Sequence, residues 1–127
     1  MIDIDKSKVR LVKWEAIKAE RDRRRSLGVK VAIGGIDKWF HSDDTSRIQQ
    51  MGLIMMGSNM PSGLQWKTLD NSFVTMTPAI ASSIFAAVAI SDKLNFGNAE
   101  AHRAALGASV DPSAYDFSTG WPACYGE

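Results

Sequence analysis

Between Ala79 and Ile90 every residue except Ser82 and Ser83 is apolar. A run that is apolar on nearly every helical face predicts a helix enclosed by the rest of the chain. Thr77-Pro78 marks its start. The Thr side chain can accept an amide of the first turn, and Pro at the first helical position gives up an N–H that has no partner there. The helical pattern continues to Leu106, with Gly97-Asn98 as a point of kinking or breakage, because Gly costs about 1 kcal/mol relative to Ala inside a helix. A run of twelve residues falls short of the roughly 20 that span a bilayer. The expectation is therefore the core helix of a soluble domain, with Ile84, Phe85 and Val88 inside and no membrane partner.

The flanking patterns predict what covers it. Lys8 to Leu27 holds good helix formers without Gly or Pro, and Glu20 and Arg24 form a favourable i,i+4 pair. Trp14 and Ile17 share a face with little else apolar, so this is a surface helix on an aromatic anchor, closed by Gly28. Val29 to Phe40 alternates like a hairpin, with Gly34-Gly35 as its two-residue turn. That turn pairs Ile33 with Ile36, Val31 with Lys38 and Val29 with Phe40. On the other face it pairs Ala32 with Asp37 and Lys30 with Trp39. Ser42, Asp43 or Asp44 can cap a third helix, Thr45 to Gly57. Ile48, Met51 and Met55 lie on one of its faces, widened by Leu53, Ile54 and Met56. Methionines at such positions either fill a core or form a tolerant partner surface. Gln65–Leu69 and Phe73–Met76 read as a second hairpin around Asp70-Asn71-Ser72, free to join the first in one small sheet. The fold class is α+β, mostly helical, with three main helices and one or two short β-hairpins. Residues 1–13 form an arm, 14–107 the domain, and 108–127 an aromatic tail (Tyr115, Phe117, Trp121, Tyr125) docked on the domain.

Charge changes the picture more than composition does. The net charge is +1, but residues 1–30 carry ten Lys/Arg against five Asp/Glu, and the remainder five against nine. Arm and body have opposite signs and attract each other, within one chain or between copies in a homo-oligomer. The single cysteine, Cys124, fits a reducing compartment, and the acidic start has no signal-peptide pattern, so the expected location is cytoplasmic.

Candidate chemistry is sparse. His41, Asp43 and Asp44 are adjacent, but no metal-ligand spacing accompanies them, so neither metal nor cofactor is expected. Cys124 has no neighbouring His, and Gly34-Gly35 is followed by no phosphate-loop residues. A sugar-cleaving site needs two converging carboxylates; Asp43, Asp44, Asp70 and Glu100 are the available ones, and no spacing favours a pair. Lys18 to Arg25 is basic enough to meet phosphates, but Glu20 and Asp22 are interleaved, so nucleic acid is not the expected partner.

Four segments carry a resemblance: RDRRRSLGVKV (Arg21–Val31), WFHSDDTSRIQ (Trp39–Gln49), QWKTLDNSFVTMTP (Gln65–Pro78) and STGWP (Ser118–Pro122). Together they resemble the domain of unknown function 4376, found in tail-fibre and tail-assembly proteins of bacteriophages and prophages, over about Trp14 to Pro122. None of these segments is a catalytic signature. The resemblance implies a non-catalytic protein that binds a tail-fibre or tail protein, as an assembly chaperone or a small structural subunit. It implies work in the bacterial host cytoplasm during assembly or in the virion tail. A nucleic-acid-binding regulator and a cell-wall-acting enzyme are the rival readings. Candidate partner-binding residues are Trp14, Arg21, Arg24, Met51, Met55, Met56, Trp121 and Tyr125, side chains that serve equally well as the domain's own core.

Overall fold

The computed structural model describes residues 3–127. Helix α1 spans Asp3–Arg25, β1 Val29–Ile33, β2 Ile36–Phe40, α2 Asp44–Met56, β3 Gln65–Lys67, β4 Phe73–Thr75 and α3 Pro78–Ala108. The fold is α+β and mostly helical, as the patterning predicts. α1 runs unbroken through residue 13, so the expected arm continues directly into the helix that carries Trp14 and Ile17.

The caps and turns follow from local chemistry. The Thr77 hydroxyl accepts from the Ile80 amide at 3.1 Å, with Pro78 at the first helical position. Asp43 caps α2 by accepting from the Ser46 amide and hydroxyl, which holds its carboxyl below the usual carboxylate range. Gly34 and Gly35 both have positive φ, the turn that matches strand twist. The register is the expected one, from Val29 opposite Phe40 to Ile33 opposite Ile36. Lys38, the polar residue on the apolar face, is answered by Ser72 at 2.9 Å and Asp70 at 3.4 Å. Lys30 lies 6.0 Å from the Trp39 ring centroid.

α3 is the axis. Its N-terminal half packs on both hairpins and α2 through Val29, Phe40, Leu53, Val74, Met76, Ala81 and Ile84. Its C-terminal half packs on α1 through Ile17, Ala99 and Leu106, with Trp14, Tyr115, Phe117 and Trp121 around them. α1 lies antiparallel to α3, since Arg10 reaches the Ser109 carbonyl and Arg25 reaches Asp92.

Three expectations are corrected, and one open choice, the side taken by the α2 methionines, is decided. α3 is not enclosed: Ile84 is fully buried and Val88 partly, but Phe85 is 48% exposed. The covering elements meet one stripe, Ala81, Ile84, Asn95, Ala99, His102 and Leu106, and a helix of 31 residues is about 46 Å long, too much for its neighbours to surround. Gly97-Asn98 does not interrupt it, because packing on both sides outweighs the small propensity cost of one Gly. The hairpins form two separate sheets, tied by one backbone bond from the Leu69 amide to the Trp39 carbonyl at 2.9 Å and by the Lys38 side chain. On α2 the buried side chains are Gln50 and Leu53, not Ile48, Met51 and Met55. The Gln50 amide reaches the His41 carbonyl at 2.6 Å, so hydrogen bonding turns this face inward. The unbroken α3 also lifts the limit set by its twelve-residue run. By length and composition it could cross a bilayer, with a mean hydropathy of 1.3 over 18 residues.

Candidate functional site

Turning α2 by its Gln50–Leu53 face leaves the other side in water. Ile48, Met51 and Met55 follow at i, i+3 and i+7, one continuous stripe. They are 72%, 51% and 81% exposed, and Met56 is 42% exposed. Met51 lines one wall of a groove of about 260 Å³ whose opposite wall is Phe85, Val88 and Ala89 of α3. With about 200 Å² for a fully exposed large apolar side chain, Ile48, Met51, Met55 and Phe85 present roughly 500 Å². Patches of this size on a single chain mark contact sites for other molecules.

One end of the groove is polar and rigid. Arg47 forms a two-pronged ion pair with Asp92, at 2.6 and 2.9 Å. The same guanidinium donates to the carbonyls of Ser42 and Arg25. Arg25 pairs with Asp44 at 3.2 Å and lies 3.7 Å from Asp92. Behind them the buried Ser42 hydroxyl accepts from the Gly28 amide and donates to the Arg25 carbonyl, both at 2.8 Å. Gly28 is required there: its φ is +100°, and a Cβ would stand 2.5 Å from Leu69 Cδ1. The junction fixes the exit of α1 against the entry of α2, so the groove is held in shape.

Trp14, Arg24 and Trp121 are occupied within the chain. Trp121 stacks on His102 at 5.7 Å and donates its indole N–H to the Phe117 carbonyl at 2.7 Å. His102 is buried, with Nε2 at 2.7 Å from the Thr119 carbonyl and Nδ1 at 2.7 Å from the Tyr115 hydroxyl. A carbonyl only accepts, so Nε2 carries a hydrogen and donates it to Thr119, while Nδ1 faces the phenol oxygen. Arg24 pairs with Glu20 at 2.7 Å and Glu127 at 3.3 Å. It donates to the Pro122 carbonyl at 3.3 Å and lies 5.8 Å from the Trp121 ring. Trp14 sits beneath Arg103, 4.8 Å from its centroid. Arg24 and Trp121 seat the C-terminal tail, and a partner would have to displace it to reach them, whereas Trp14 lines an open groove with Arg10, Leu11 and Arg103. Arg21 lies over Phe96 at 5.6 Å. Tyr125 meets the edge of Trp39 at 6.1 Å and remains 43% exposed.

The titratable groups are likewise engaged. Glu20 is held down at about 2 by its bond to Arg23 and then by Arg24, against the opposing effect of burial. Asp70 is held well below the usual carboxylate range by the hydroxyls of Ser72 and Thr68 in its own turn. Burial pushes the Cys124 thiol up, away from the reactive thiolate. Asp43 caps a helix, and Glu100 lies on the outer face of α3. Of the four carboxylates considered for sugar chemistry, Asp43 and Asp44 stand together at the start of α2, Asp70 lies in the β3–β4 turn and Glu100 on α3. No group of three or more His, Cys, Asp or Glu converges on a metal position among the described residues.

Sequence reasoning missed His102 and the Arg47–Asp92 pair. Their partners lie 17 and 45 residues away, beyond any periodic signal. A buried His on an amphipathic helix facing an aromatic tail was the available hint. No curated protein and no solved structure matches the chain. A family model described as "Domain of unknown function (DUF4376)" matches residues 8–119. That span takes in most of α1, all of α2 and α3 and both hairpins, and the chain belongs to the DUF4376 family.

Proposed function

We propose that this protein is a non-catalytic, bacteriophage tail-associated module that works by holding a tail-fibre or tail protein. The partner lies on the apolar face formed by Ile48, Met51 and Met55 of α2 with Phe85 of α3. The observation that carries the reading is the exposure of these four large side chains, two of which, Met51 and Phe85, face each other across a groove beside a junction that keeps it in shape. Methionine-rich surfaces adapt to the shape of what they bind, which suits transient cover of a chain awaiting assembly. The tail association itself rests on the resemblance of the four segments quoted above. Cations of the α1 end already face acids, Lys18 with Glu15 and Arg23 with Glu20, which favours protein over nucleic acid as the partner.

Co-expression with the neighbouring tail-fibre gene followed by affinity capture tests this. The native chain should retain the fibre protein, and Met51→Lys with Phe85→Lys should lose it while remaining folded. Equal capture by the double variant, or none by the native chain, would refute the reading. Mass spectrometry of purified virions separates the two roles, since a chaperone is absent from the particle and a structural subunit is present.

A further inference from the structure

A second groove, of about 400 Å³, runs along the seam of α1 and α3. Arg10, Leu11 and Trp14 line it from one face of α1, and the antiparallel α3 sets Arg103 and Leu106 beside them. Leu106 is buried, Trp14 is half-buried and Leu11 is 66% exposed, so the middle of the groove is apolar and open. Its charge is one-sided, because the lining holds two arginines and no carboxylate. Arg10 donates through Nη2 to the Ser109 carbonyl at 3.0 Å, while its Nε is buried without a hydrogen-bond partner. No carboxylate among the described residues lies at ion-pair distance from Arg10. A guanidinium drawn out of water with no counter-charge is costly, and an incoming anion relieves that cost. Arg103 is held over the Trp14 ring at 4.8 Å and reaches Glu100 only at 3.9 Å. Glu15, next to Trp14 in sequence, is taken by Lys18 at 2.9 Å.

We infer that this groove takes an acidic segment of another protein. A large apolar side chain of that segment enters between Leu11, Trp14 and Leu106, and neighbouring carboxylates meet Arg10 and Arg103. The carboxylate matches the planar fork of a guanidinium, and the low exposure of Arg10 strengthens the attraction. A nucleic-acid base fits less well, since the Trp14 ring on which it would stack already carries Arg103 and, at 5.6 Å, Lys18. The apolar surface is recessed between two helices and not spread along one, which suits a side chain better than a bilayer. This groove shares no lining residue with the groove between α2 and α3, so either site can fail without the other.

Titrating the isotope-labelled full chain with a capped hexapeptide of alternating glutamate and phenylalanine tests the inference. The Trp14 indole N–H resonance, identified by its loss in Trp14→Phe, should shift as the peptide binds. The same peptide with glutamine in place of glutamate should bind roughly tenfold more weakly or worse, since its charge-assisted bonds are gone. Arg103→Glu, at an exposed position, should weaken the glutamate peptide by a similar factor with helical circular dichroism intact. Arg10→Gln should weaken it as well. An unmoved Trp14 resonance, equal binding of the glutamine peptide, or binding indifferent to both arginine variants would each overturn the inference. So would preference for phosphatidylserine vesicles over the peptide, or a Trp14 shift that follows protein concentration alone and shows a second copy in the groove.

Discussion

Single residues in this fold differ sharply in what they are asked to do, and glycine shows it best. Gly28 combines a positive φ with the approach of Leu69, so Gly28→Ala should cost about 2 kcal/mol or more, read as a lower midpoint in urea. Gly52 lies inside α2 with open space where a Cβ would go. Gly52→Ala should therefore stabilise by about 1 kcal/mol in the same assay. Ser42 is a third case. Its buried hydroxyl joins the Gly28 amide to the Arg25 carbonyl, and Ser42→Ala leaves the Gly28 amide without its partner, while the Arg25 carbonyl keeps Arg47. The expected loss is about 2 kcal/mol, with amide exchange at Gly28 accelerated.

At the scale of elements, α1 depends on acid–base state. Glu20 joins Arg23 and Arg24 and titrates at about 2 when folded, against an ordinary value of 4.5. A depressed carboxyl stabilises the fold fully above its unfolded pKa. The contribution falls as pH drops from about 4.5 towards 2, where Glu20 protonates in both states. Glu20→Gln should thus be less stable than the native chain at neutral pH, with the difference closing across that acid window in thermal melts. The elements themselves were largely legible before the structure. Thr77-Pro78, Asp43 and Gly34-Gly35 act within three residues of themselves, so starts, caps and hairpin register follow from local chemistry. Burial was less legible. The Ala79–Ile90 run looks interior because it is apolar, yet Ala86, Ala89 and Ile90 face outward. Hydrophobicity says what could be buried, and only the number and placement of covering elements decides what is. The Met51–Met55 stripe stays open between core and partner surface in the sequence for the same reason, since Gln50 takes the inward position through a hydrogen bond that no periodicity announces. The candidate groove was therefore present in the sequence as residues, without the knowledge of which side they would take.

Across the whole molecule, two cores lie along one helix and are closed by different parts of the chain. Ile17, Ala99 and Leu106 are covered by Tyr115, Phe117 and Trp121. Trp121→Ala should cost about 3 kcal/mol and loosen the C-terminal half. Dye binding to newly exposed apolar surface should rise, while hydrogen exchange stays slow at Phe40 and Ile84 in the other core. The tail that closes the second core also returns to the end of α1, where the Tyr125 amide donates to the Leu27 carbonyl and Arg24 meets the Pro122 carbonyl. Ile17 is made early and its cover is made roughly 100 residues later. At about 5–20 residues per second of synthesis, α1 waits on the order of 5–20 s on the ribosome for the segment that shields it. During that interval the nascent chain shows its N-terminal helix to whatever is nearby, so a bound chaperone or a sister chain on the same message has its best opportunity before the last residues emerge.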